Sequence, residues 1–78
     1  MHDELIAEIE DWRPDLQGLV DRTTPLVSSG KLDSLGLMRL LLWIEGKVGR
    51  SVRVTDIDLL KEWDDVDSIV GFVERERG

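Results

Sequence analysis

Apolar residues recur at helical intervals in three stretches of this chain, and that rhythm breaks between them. Leu5, Ile9 and Trp12 fall on one helical face, widened by Ile6, which predicts an amphipathic helix from Asp3 to Trp12. Asp3 and Glu4 in its first turn complement the positive end of the helix dipole. Pro14 disfavours helical backbone at Arg13, so the helix should stop there. The strongest helical pattern runs from Ser34 to Gly49, with Leu37, Leu40, Leu41, Ile44 and Val48 on the face expected to meet the core. Asp33 and Ser34 are both suited to cap its start, and Gly49 suits its end. A last helix, capped by Asp64 or Asp65, is expected to reach about Arg75 on a stripe of Val66, Ile69, Val70 and Val73.

The intervening segments carry turn signals. From Arg13 to Asp33 the punctuation is Pro14, Gly18, Pro25 and Gly30. A connection this long in a small domain must be functional or packed down. Leu16, Leu19, Val20, Leu26 and Val27 are expected to pin it across the bundle, with a short helical turn within Leu16 to Asp21. Ser51 to Val54 reads as an extended connector turning Val52 and Val54 inward. Thr55-x-x-Asp58 resembles a capping box with Asp in place of Glu, which predicts a small helix ending near Glu62. Trp63 is expected to close the bundle between the last two helices. The sum is an all-α fold: a small bundle of three longer helices plus one short helix, with a long loop between helices one and two, as a single domain over residues 1–78.

Size sharpens this picture. With 78 residues and no cysteine, the domain has neither disulfides nor thiolate metal sites to hold it, so an apolar core must do so. Seventeen acids against ten bases give a net charge of −7, which opposes binding to a nucleic-acid backbone. The start of the chain lacks the positive charge and long apolar run of a secretory signal, and no apolar run reaches membrane-spanning length. A cytoplasmic monomer is expected. No catalytic constellation assembles either: the one histidine, His2, is expected at a frayed terminus, and Leu32-Asp33-Ser34-Leu35-Gly36 is not a nucleophile elbow. The aspartates at 56, 58, 64, 65 and 67 lack the glycine and closing glutamate of a calcium loop, and helix starts account for them. The chain is expected not to be an enzyme.

Ser34 is nonetheless chemically placed. A helix start presents unpaired N–H groups and partial positive charge, so it tolerates a phosphate esterified to a serine there. Such a serine needs exposure, not a base of its own, if another enzyme modifies it. The run Ser28-Ser29-Gly30-Lys31-Leu32-Asp33-Ser34-Leu35-Gly36, followed by an apolar helix with Ile44-Glu45 and Val48-Gly49, resembles the attachment region of acyl carrier proteins. The resemblance extends across nearly the whole chain. It implies 4'-phosphopantetheine attached covalently to Ser34, with Asp33 capping the helix and presenting the serine. It also implies as partners a phosphopantetheinyl transferase, an adenylating or acyltransferase loading enzyme, and cargo-using enzymes. The cargo would be a small acyl or aminoacyl unit held as a thioester, in a stand-alone carrier of the kind found in secondary metabolism.

Ser-Gly-x-Leu-Asp-Ser and Lys61-Glu62-Trp63-Asp64 also look like D-alanyl carrier proteins. The second helix departs from the fatty-acid type, which usually carries several acids there; this one has Glu45 with Arg39 and Lys47. In place of an acidic face, Leu35, Met38, Arg39 and Leu42 lie beside Ser34 as candidate partner-docking residues, and Trp43 either extends that surface or covers the first loop. The competing reading is an unmodified helical protein-interaction module in which Ser34 is only a cap.

Overall fold

The computed structural model describes residues 1–77 and places four α-helices among them with no β-strand. They are α1 (His2–Trp12), α2 (Ser34–Val48), the single-turn α3 (Leu59–Glu62) and α4 (Val66–Arg77), with 3₁₀ turns at Pro14–Leu16 and Val54–Asp56. The all-α bundle read from periodicity is thus the observed fold. Its centre is α4, which packs against α1, α2 and α3 alike. That helix must be apolar on more than one side, and Phe72 joins Val66, Ile69, Val70 and Val73 in the core. Phe72 lies off the stripe expected from spacing; it is buried because Trp63 meets it edge-on, ring centroids 5.5 Å apart. Trp63 closes the bundle ahead of α4, fully enclosed, with its indole N–H unpaired among the described residues.

Leu5 and Ile9 of α1 and Leu40 and Ile44 of α2 are completely buried, while Leu37, Leu41 and Val48 pack at the core's margin. Gly49 ends α2 in left-handed backbone at φ 87°, and its N–H reaches the carbonyl of Glu45. Trp43 sits on the α1 side of α2. The Lys47 ammonium lies 5.5 Å from its ring and also pairs with Glu4 of α1, and the half-buried indole packs against the core. His2 does not fray. It is the first residue of α1, and its Nε2 lies 2.9 Å from Asp67 of α4.

Two local expectations fail. Thr55 does not begin a capped helix: it sits within the 3₁₀ turn, Ile57 is extended, and α3 starts after Asp58 with no side-chain cap. Val54 and Ile57 both turn toward the core, which forces the chain to straighten between Thr55 and Asp58 and separates the two halves of the box. Leu19 does not pin the first loop; it is 60 % exposed. The helical turn of that loop begins earlier than expected, at Pro14, because proline favours the first helical position.

The long connection is held by buried side chains and by the corner between α3 and α4. Leu16, Val20, Leu26 and Leu32 are buried. The amide of Leu26 donates to the carbonyl of Asp64 at 2.6 Å, and that of Asp67 donates to the carbonyl of Arg22 at 3.0 Å. The Asp64 carboxylate accepts from the amides of Val27 (2.9 Å) and Ser28 (2.8 Å) and from the Ser28 hydroxyl (2.8 Å). Of the two candidate caps for α4, Asp65 takes that role, accepting from the Ser68 amide at 2.8 Å. Asp64 is thereby free to reach back across the fold. Elsewhere in the loop the Asp21 carboxylate gathers the Thr23 amide and the hydroxyls of Thr23 and Thr24, and Glu10 of α1 takes the Gly18 amide.

The loop is therefore core, and two outcomes follow. Leu26→Ala should destabilise the protein by about 2–5 kcal/mol in urea unfolding, the range for a buried helical leucine, whereas truncating a surface-loop residue costs within about 0.5 kcal/mol. The donors on Asp64, foremost the Ser28 amide, hold its carboxyl below the ordinary aspartate value. A depressed folded-state value means stability present above the unfolded value and lost as pH falls through the folded one. Between about pH 6 and about pH 3, Asp64→Asn should lose less unfolding free energy than the wild type. Part of the acid loss persists in the variant, because hydrogen bonds lower Asp15 and Asp21 as well.

Candidate functional site

The loop delivers the chain to α2 in a fixed pose. The Leu32 amide donates to the carbonyl of Leu26 at 3.0 Å, closing a turn that contains Gly30 at φ 77°, and the Leu32 side chain is buried. Beside it, Arg13 Nη1 donates to the Lys31 carbonyl at 2.8 Å, which ties the end of α1 to the residues just ahead of α2. The same guanidinium grips Asp15 with two N–H groups and holds that carboxyl below its usual range.

Asp33 follows in extended backbone, φ −88° and ψ −170°, and its Oδ1 accepts from the Gly36 amide at 2.9 Å. Between the two residues that could have capped α2, the geometry selects Asp33. Its carbonyl takes the Leu37 amide at 2.8 Å, the first bond of the helix ladder. Among the described residues the amides of Ser34 and Leu35 then remain as the unpaired donors of the first turn. Ser34 is the first helical residue and is exposed, and among the described residues nothing hydrogen-bonds its hydroxyl. Gly36 lets this turn sit down on Leu32: a Cβ there would come within 3.1 Å of Leu32 Cδ2.

The four residues next to the serine form one surface. Leu35 and Met38 are each 61 % exposed, Leu42 is 62 % exposed, and Arg39 stands among them, exposed and without an ion-pair partner among the described residues. Leucine and methionine so open to water on one helix are not core residues with frayed edges. The other charges of α2 are engaged, Lys47 with Glu4 and Glu45 with the Val52 amide. A small cleft of about 60 Å³ lies between this surface and α1, lined by Trp12, Arg13, Asp33, Leu35, Gly36 and Arg39. Two larger open clefts, about 370 and 470 Å³, meet at Ile57, Phe72 and Glu76. They lie by the far end of α2, a helix roughly 20 Å long.

Chemically, the arrangement offers a free hydroxyl at a positively polarised helix end, framed by apolar side chains and one guanidinium. It fits a phosphodiester: unpaired amides face that end, Asp33 turns its carboxylate inward onto Gly36, and no side chain covers the oxygen. Among the described residues no three acids or histidines come together as a metal site. The sequence pattern marked Asp33, Ser34, Leu35, Met38, Arg39 and Leu42; Asp33 to Leu35 form the start of α2, and Met38, Arg39 and Leu42 continue the exposed face over the next two turns. It missed the supports: Arg13, Leu32, Gly36 and Asp64. Leu32, Gly36 and Asp64 stood within quoted motifs, but nothing in the spacing showed that they support the start of α2.

Residues 3–73 match the family model for the phosphopantetheine attachment site. No curated protein and no solved structure matches the chain. Because the match runs from α1 well into α4, this chain belongs to the phosphopantetheine-attachment family of carrier domains, which bear 4'-phosphopantetheine covalently on a serine.

Proposed function

We propose that this protein is an acyl or aminoacyl carrier whose Ser34 bears the phosphopantetheine arm. The observation that carries the assignment is the exposed, unencumbered hydroxyl at the first position of α2, with Asp33 as its cap. When bound, the arm supplies a thiol that holds cargo as a thioester, chemistry for which a chain without cysteine has no group of its own. Asp33 fixes the first turn and so presents the serine to a separate transferase. The amides of Ser34 and Leu35 stabilise the negative charge that attachment brings.

Leu35, Met38, Arg39 and Leu42 serve as the docking face for the transferase and for enzymes that load or use the cargo. An apolar face centred on one guanidinium fits partners presenting an apolar depression with a carboxylate beside it. Tethering turns delivery into docking, since cargo on a docked carrier is held at high effective concentration. The chain itself performs no catalysis on this reading. Its cargo is a small acyl or aminoacyl unit, in keeping with the roughly 60 Å³ cleft beside Ser34, and it works in the cytoplasm within secondary metabolism.

Incubation with coenzyme A and a broad-specificity phosphopantetheinyl transferase should add one arm to the protein by intact mass, and none to Ser34→Ala. A wild type that gains nothing leaves the rival reading, an unmodified interaction module. Arg39→Glu should lower kcat/KM of loading by about three- to tenfold with at least one partner while the circular dichroism stays unchanged. Equal rates with every partner would remove the docking assignment.

A further inference from the structure

Asp64 sits far from Ser34 in sequence, yet it controls the segment that leads to it. Its carboxylate takes three donors and its carbonyl a fourth, all from Leu26, Val27 and Ser28. Two of these are consecutive backbone amides converging on the single oxygen Oδ1. From this clamp the path to the serine is short. The Leu26 carbonyl holds the Leu32 amide, Leu32 is buried, and Asp33 and Ser34 follow directly. The turn between them is closed by its own bonds, Ser29 Oγ to the Pro25 carbonyl and the Gly30 amide to the Val27 carbonyl. It therefore moves as one piece with whatever holds Leu26 to Ser28.

We propose that Asp64 is a positioning residue for attachment of the arm: by clamping Leu26–Ser28 to the α3–α4 corner it keeps Asp33 in its capping pose and the first turn of α2 formed. This rests on Ser34 being the attachment residue. With the clamp lost, the Asp33 backbone is no longer fixed, the cap on Gly36 opens and Ser34 frays with the first turn. A docking transferase must then order the turn itself, so the cost falls on binding and not on the chemical step.

The neighbouring aspartate provides the control. Asp65 caps α4 and among the described residues makes no hydrogen bond to the loop, so Asp65→Ala weakens the fold without releasing the clamp. Steady-state transfer from coenzyme A, at a temperature where every variant is folded, should give Asp64→Ala a KM for the carrier raised about tenfold with kcat nearly unchanged. Asp65→Ala should keep both constants. Asp64→Asn should restore the KM to within about twofold, because its oxygen still accepts both amides and its NH₂ can donate to Ser28 Oγ. Amide exchange should accelerate in Asp64→Ala at Val27, Ser28, Leu32 and Gly36, whose amides are all hydrogen-bonded in the clamp and cap, and not at Ile9 or Ile44. Should Asp64→Ala not fold, Ser28→Ala removes one of the donors alone and should raise KM about two- to threefold. A wild-type KM in Asp64→Ala, or an equal rise in Asp65→Ala, overturns the role assigned to Asp64. A wild type that never accepts the arm overturns the carrier reading itself, and the positioning role with it.

Discussion

The whole arrangement depends on how a long, glycine- and proline-marked connection is bound to the far end of the chain. Loops ordinarily run over the surface because their backbone polar groups need water. This one crosses the bundle, and the groups that would have met water meet the α3–α4 corner. Leu26 donates to the Asp64 carbonyl, Val27 and Ser28 donate to its carboxylate, and the Arg22 carbonyl accepts from Asp67. With those bonds made, Leu16, Val20, Leu26 and Leu32 can enter the core, and the amides of Leu16, Leu26 and Leu32 keep backbone partners. Ordering so many residues is entropically expensive, and the buried leucines are what offsets it. A short α1–α2 connection would cost less to order. It would not set Asp33 at the mouth of α2 from two sides, with Arg13 on Lys31 and Leu26 on Leu32.

Charge is distributed to leave that mouth distinct from the rest of the surface. Acids stand on all four helices and in the connections between them, and Glu4, Glu62, Asp67 and Glu76 pair with bases of other elements. Arg50 with Glu76, Arg75 with Glu62, Lys47 with Glu4 and His2 with Asp67 each join two segments. Exposed pairs of this kind contribute little to stability individually. Their effect here is to join neighbouring segments, while Arg39, without an ion-pair partner among the described residues, stands among three exposed apolar side chains. Solubility is supplied by the acidic remainder, so α2 can leave an apolar face in water.

The sequence disclosed whatever is local. Period and punctuation located all four helices, and Pro14 and Gly49 marked ends that the backbone adopts. Asp33-Ser34 before an apolar run was enough to mark a helix start with an exposed hydroxyl. What spacing could not disclose was which of two equivalent residues does which task. Asp64 and Asp65 both cap on paper. Only the fold decides that Asp65 bonds Ser68 while Asp64 reaches a loop more than thirty residues earlier. Leu19 and Leu26 look alike in a loop, yet one is 60 % exposed and the other is fully enclosed. Phe72 lies off its helix's stripe and is buried because Trp63 meets its edge. Thr55 carries a local signal that Val54 and Ile57 override by turning inward. In each case a contact between distant segments chose among options that the local pattern left equal.

That division also explains why the exposed serine at the start of α2 is legible while its supports are not. A residue that a foreign enzyme modifies must be readable from outside: exposed, at an element's end, flanked by side chains that other proteins touch. Those requirements are local, and they leave a contiguous run, Asp33 to Leu42. The residues that hold the run in place are free to come from anywhere the fold brings near. Here they are Arg13 at the end of α1 and Asp64 ahead of α4, joined by Gly36 within the first turn of α2 itself. Each touches a different atom group: a carbonyl at Lys31, the amides of Val27 and Ser28, and the Leu32 side chain. The domain thus separates an exposed apolar surface, written as a motif, from a scaffold written as pairwise contacts, and the two meet at Leu32 and Asp33.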